Sequence, residues 1–211
     1  MPAKGGHGEP PPIGGILFDM DGVVVRQQLD FLAIKREIFG TTEGYILERM
    51  AGLPPDARVR AESILERHET AAAMTAEPMD GILPFLQWME ARGLRRGIVT
   101  RNSRKSVELV LRRLGLAFDA VVTREDAPPK PAPEPVWLAC RRMELSPAEL
   151  VFVGDFEFDM LAGRRANVRT VLLRSGATMA SEHADLSVDS LEELRTWLEA
   201  TGLGVLPKAG D

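Results

Sequence analysis

Residues 14–24 read GGILFDMDGVV: two glycines lead into Ile16, Leu17 and Phe18, the run ends at Asp19, and Asp21-Gly22 follows at once. A short unbroken apolar run bounded by turn residues is the mark of a strand buried on both faces. Strands of that kind belong to parallel sheets covered by helices on either side. In such sheets ligands gather beyond the carboxyl ends of the strands, so the acids at this strand's exit are candidates for a site.

Outward from that strand the pattern repeats. Residues 95–100 (RRGIVT), 120–123, 150–154 (LVFVG) and 170–173 read as further strands. Between them, helical spacing covers 82–91, 103–114, 133–143, 157–166 and 191–200. Gly115 closes the second of these helices and prolines are confined to the entry of the third, while Ser190 with Glu193 has capping-box spacing before the last. Strands alternating with helices predict an α/β fold, a Rossmann-like parallel sheet with helices on both faces. Residues 29–77 break the alternation. They are helical throughout, with apolar positions at Phe31, Ile34 and Ile38, then Ile46, Leu47 and Met50, then Ile64 and Leu65. Gly40, Gly52 and Pro54-Pro55 divide them into three helices. The expected division is a core of residues 13–25 and 81–203 and a small all-helical insertion of residues 26–80. A disordered lead-in (1–12) and a flexible tail (204–211) flank them.

The chain has 211 residues, 45% hydrophobic and 27% charged, which suits a globular protein with a full-sized core and excludes wholesale disorder. A net charge of -5 argues against a nucleic-acid binder or a basic membrane-surface protein. One cysteine, Cys140, permits no internal disulfide, and with only three histidines little is left for a zinc site. Any metal should therefore be a hard cation held by carboxylates. No apolar run reaches about 18 residues and no leader h-region is visible, so a soluble cytoplasmic protein is expected.

Four features carry chemistry. They are Asp19 with Asp21, Thr100 at the end of its strand, Lys130 in the loop 127–135 (APPKPAPEP), and Gly154-Asp155 with Asp159. Taken singly, each has a plain structural reading. The first pair suits a solvated turn, Thr100 a helix N-cap, the proline-rich loop a polyproline ligand, and Asp155 and Asp159 the first turn of a helix. Their shared position favours function: Asp19, Thr100 and Asp155 end three strands and Lys130 follows a fourth, so all converge on one crevice. Carboxylates crowded with one lysine and one hydroxyl describe a site for a phosphate and Mg²⁺, because like charges so close need a cation between them.

With those motifs in that order, the sequence resembles the haloacid dehalogenase superfamily. The matching pieces are DMDGVV (19–24), IVTRN (98–102), KPAPEP (130–135) and VGDFEFDMLAG (153–163), and the likeness runs over about residues 14–175. It is nearest to the phosphoglycolate phosphatase-like branch, whose small helical cap of the C1 type sits where residues 26–80 lie. The resemblance implies a Mg²⁺-dependent phosphatase of small phosphorylated metabolites that works through an aspartyl-phosphate. Asp19 would be the nucleophile and Asp21 the general acid and base. Mg²⁺ would be held by Asp19, the Asp21 carbonyl, Asp155 and Asp159. Thr100 and Lys130 would grip the phosphoryl group, with Arg101 and Asn102 adding donors.

Asp21 separates the chain from the dehalogenase and phosphonatase branches, and no P-loop motif is present. A phosphomutase on the same scaffold and a non-catalytic phosphate-binding module stay open as alternatives. Three departures stand out: Phe156 where a small polar residue is usual, Val23 in place of a threonine, and Arg101 where many relatives carry asparagine.

Overall fold

The computed structural model describes residues 11–26, 29–174 and 182–201. The lead-in before residue 11 and the tail 204–211 lie outside the described residues. Six strands form one sheet: β1 (Gly15–Phe18), β2 (Arg95–Val99), β3 (Ala120–Val122), β4 (Leu150–Gly154), β5 (Arg169–Leu173) and β6 (Leu186–Val188). Their order is β3-β2-β1-β4-β5-β6 and every pairing is parallel. The connectivity therefore reverses between β1 and β4, and a crevice opens at the carboxyl ends of those two central strands.

The helices are α1 (Phe31–Phe39), α2 (Ile46–Ala51), α3 (Pro55–Thr75), α4 (Ile82–Ala91), α5 (Arg104–Leu114), α6 (Glu134–Met143), α7 (Glu157–Arg165) and α8 (Leu191–Ala200). β1 explains how they are layered. Ile16 and Phe18 enter one core with Phe85 and Met89 of α4, Val107 of α5 and Leu194 of α8. Leu17, facing the other way, joins Val136 and Ala139 of α6 and Ala162 of α7. All three β1 side chains are fully buried, and at roughly 1.5–3 kcal/mol each they anchor the centre of the sheet.

Ser103 caps α5 by accepting from the Ser106 N–H at 3.3 Å. Ser190 caps α8, accepting from the Glu193 N–H, while the Glu193 carboxylate returns to the Asp189 N–H and not to that of Ser190. The expected strands and helices are present to within a residue or two. β6 was not expected: three residues at the sheet edge, two of them only half-buried, leave too short a pattern to read.

Helices α1 to α3 have their own small core of Ile34, Ile46, Met50, Ala61 and Leu65. The chain enters and leaves this block side by side. Val25 forms an antiparallel bridge with Pro78, Arg26 N–H donates to the Glu77 carbonyl at 3.0 Å, and Met79 N–H donates to the Val24 carbonyl at 3.0 Å. The Arg26 guanidinium reaches Asp80 across the same crossing at 2.5 Å. Further along, α3 lies against α5: Lys105 pairs with Glu66 at 2.5 Å, and the Ser106 hydroxyl donates to the Glu69 carbonyl at 3.4 Å. No helix among the described residues is long and apolar enough to cross a membrane.

Candidate active site

The site starts where β1 ends. Asp19 N–H donates to the Val153 carbonyl at 2.9 Å, which holds the residue in line with β4. The chain then turns sharply: Gly22 N–H donates to the Val25 carbonyl, and Val24 and Val25 both donate to the carbonyl of Met20. Gly22 has φ of +78°, a left-handed conformation that costs other residues about 1–2 kcal/mol. This turn carries Asp21 away from Asp19, toward α5.

Lys130 is the hub. Its side chain is 2% exposed, and its ammonium donates to the Val99 carbonyl at 2.8 Å and meets Asp19 Oδ1 at 2.7 Å and Asp159 Oδ1 at 2.6 Å. Three donors thus find three oxygens, as a buried ammonium requires. Burial pulls the lysine toward neutrality, but Asp159 and Asp19 outweigh it and hold the pKa above the usual lysine value. Asp159 is also fixed by the Phe156 N–H at 3.1 Å, and burial raises its carboxyl although Lys130 opposes the change. Gly154 makes room for it: a Cβ there would come within 2.2 Å of the Asp159 Cβ.

Asp155 has no such support. No hydrogen bond or ion pair among the described residues reaches its carboxylate, yet it lies within 4.8 Å of ligand oxygens from Asp19 and Asp159. Burial, then the charges of Asp19 and Asp159, push its pKa up to about 8. A half-buried carboxylate without a partner beside two others fits a hard divalent cation, which prefers carboxylate oxygens and would relieve the repulsion. The donor set therefore suits Mg²⁺.

Asp21 lies beside that acidic cluster of Asp19, Asp155 and Asp159 and is not one of its three members. Asn102 donates from Nδ2 to Asp21 Oδ2 at 2.6 Å. Burial and the charge of Asp19 raise the Asp21 carboxyl to about 7, against the pull of Asn102. Thr100 is buried, and its hydroxyl accepts from the Asn102 N–H at 3.1 Å, so it caps the turn into α5 and not the helix itself.

Two of the expected phosphate donors have protein partners in this structure. The Arg101 guanidinium, expected on the phosphate, makes a two-pronged pair with Glu48 of α2 at 2.8 and 2.9 Å and also donates to the Lys130 carbonyl. Its role in this geometry is to tie α2 to the core. The Asn102 backbone donor, expected for phosphate, is already taken by Thr100.

Several residues of the site had no signal in the sequence. Glu69 looks like one more charge on the long helix α3, but it is 2% exposed, is paired with Arg124, and accepts from the Ser103 N–H at 3.4 Å. Tyr45, just before α2, packs on Phe158 with ring centroids 4.6 Å apart, and Phe158 meets Phe156 at 5.2 Å. Phe156 was visible as a departure, but what it would meet was not. These rings, with Phe31 and Lys35 of α1, wall a cavity of about 360 Å³ whose floor holds Asp19, Asp21 and Asp155.

Comparison with known proteins agrees with the fold. The family described as haloacid dehalogenase-like hydrolase matches residues 16–173. An uncharacterised hydrolase of Saccharomyces cerevisiae is 30% identical over 196 residues, covering 89% of this chain and 90% of its own. An N-acetylmuramic acid 6-phosphate phosphatase of Pseudomonas aeruginosa is 29% identical, covering 85% and 92%. Among solved structures, a hydrolase from Pseudomonas syringae superposes with a TM-score of 0.75 at 19% identity, covering 89% of this chain and 98% of that one.

Proposed function

The chain belongs to the haloacid dehalogenase-like hydrolase family, and from that premise we propose that it is a Mg²⁺-dependent phosphatase of small phosphorylated metabolites, with Asp19 as nucleophile. The observation that carries this reading is the contrast between two neighbouring acids. Asp19 is held ready by Lys130 at 2.7 Å, whereas Asp155, beside it, is left without a partner.

In the proposed reaction an Asp19 oxygen attacks phosphorus and the bond to the leaving oxygen breaks, giving an aspartyl-phosphate. Asp21 gives its proton to the leaving oxygen. It then takes a proton from the water that attacks the same phosphorus, which releases phosphate and restores Asp19. A carboxyl held near 7 can do both tasks at neutral pH, and Asn102 keeps it aimed. Lys130 supplies a fixed positive charge next to the nucleophile and to the charge that builds on the phosphoryl oxygens. Asp19, Asp155, Asp159 and the Asp21 carbonyl would hold Mg²⁺, which when bound would neutralise phosphoryl charge. The Arg101–Glu48 pair and the Tyr45–Phe158 contact keep the helical block over the cavity, so small substrates are favoured over folded proteins.

The test is a phosphate-release screen with Mg²⁺ over a metabolite panel that includes N-acetylmuramic acid 6-phosphate, phosphoglycolate and hexose phosphates, alongside p-nitrophenyl phosphate. Turnover of at least one ester and its loss in Asp19→Asn are expected. No phosphate release from any ester, or undiminished release by Asp19→Asn, would refute the reading. An isomeric sugar phosphate formed in place of free phosphate would identify a mutase instead.

A further inference from the structure

The cavity above Asp19 is not charged evenly. Its floor is acidic. Of the two cations on its wall, Arg101 is already neutralised by both oxygens of Glu48. The other is Lys35 of α1, which is half-buried and has no ion pair or hydrogen bond to any described residue. An ammonium on the wall of a partly closed cavity is strongly attractive to an anion, because screening by water is reduced there. Glu69, paired with Arg124, and the polar Thr100 and Asn102 also line the cavity, the remainder is largely apolar, and three of its rings are well exposed: Phe31 at 42%, Tyr45 at 46% and Phe156 at 47%. Uncovered aromatic surface next to a reaction centre suits the face of a ring.

We propose that the cavity selects phosphomonoesters whose leaving group carries a ring and a second, singly charged anion, a carboxylate, with Lys35 as the residue that reads that charge. One free lysine balances one negative charge, which favours a carboxylate over a second phosphate dianion. The floor acids repel an anion placed low in the cavity, so the carboxylate sits at the α1 side, away from the phosphorus. This inference names the substrate class for the phosphatase reading above and rests on it.

The experiment compares phenyl phosphate with its 3- and 4-carboxy derivatives. For the native protein, kcat/KM should be higher for at least one carboxylated ester than for phenyl phosphate. Lys35→Ala should raise KM for that ester about tenfold and leave phenyl phosphate within about twofold, the mark of a lost ground-state charge contact. Lys35→Arg should restore most of the preference. Equal effects on both esters, or no native preference, would overturn the proposal. Calorimetric binding of the same esters to Asp19→Asn, with and without Lys35→Ala, separates the two readings. Lys35-dependent discrimination without turnover in the native protein would refute the phosphatase reading and keep the subsite. Binding that is absent or indifferent to Lys35 would refute the subsite.

Discussion

Gly22 and Asp155 occupy complementary space: a Cβ added to Gly22 would lie 1.9 Å from Oδ2 of Asp155. The turn that follows the nucleophile strand and the acid that follows the neighbouring strand therefore fit together only when the first lacks a side chain. Gly22→Ala should displace the Asp155 carboxylate and twist the turn that carries Asp21. We expect kcat to fall by at least about 100-fold, with a far-ultraviolet circular dichroism spectrum close to that of the native protein. Normal activity in this variant would show that the contact has no part in the site.

Lys130 holds two carboxylates together in a nearly dry environment. Lys130→Met should abolish turnover and cost about 3–5 kcal/mol of stability, because Asp19 and Asp159 lose their shared cation. The sign of the pH dependence follows. Without the lysine, buried Asp159 keeps its proton to higher pH in the folded state than in the unfolded chain, so stability falls as pH rises. Urea denaturation should therefore show a larger deficit at pH 8 than at pH 5, and a deficit independent of pH would contradict this account.

Asp155 predicts how metal and stability are linked. Its folded pKa is raised to about 8, so without a divalent cation the protein should lose stability as pH climbs from about 4 toward 8. Added Mg²⁺ should raise the unfolding temperature most at the upper end of that range, and a chelator should reverse the gain and stop turnover. Asp155→Asn should flatten the pH profile and remove most of the Mg²⁺ response. Differential scanning fluorimetry over pH, with and without Mg²⁺, would show all three.

The loop that carries Lys130 is anchored at its start by Asp126. That carboxylate accepts from the N–H and hydroxyl of Thr123 and pairs with Arg142 and Arg104. Burial works against its charge, but the bonds to Arg142 and Thr123 win and hold the acid well below the usual carboxylate range. Its contribution is then complete above the unfolded pKa of about 4 and fades as pH falls below it. Asp126→Ala should cost about 1–3 kcal/mol at pH 7 and clearly less, though not nothing, near pH 2 in chemical denaturation.

Much of the core could be read because its chemistry is local. Asp19, Thr100 and Asp155 each follow a buried strand by one residue and Lys130 lies in the loop after another, and a parallel sheet brings such ends together whatever lies between them. Ser103 and Ser190 could likewise be read as helix starts, since a cap and its partner are three residues apart. What could not be read depends on contacts across the chain. Arg101 finds Glu48 over a separation of 53 residues, and nothing in either neighbourhood marks the match. Glu69 is buried because α3 rests on α5, yet the crowded charges of α3 give it no clean apolar face from which to foresee that. Tyr45, Phe156 and Phe158 acquire a role only once two separate parts of the chain meet.

The paired crossing at Val25 and Pro78 has an architectural consequence. Both ends of the helical block join the sheet at one doorway, fastened by Arg26 to Asp80. What is threaded through that doorway can change in length without altering the order of any strand, provided it still meets α5 and Arg101. The chemistry and the choice of substrate are thereby carried by parts that can change independently. A new lid would have to be grafted at that gatepost and also meet the face of α5 on which Ala73 and Glu69 of α3 now rest.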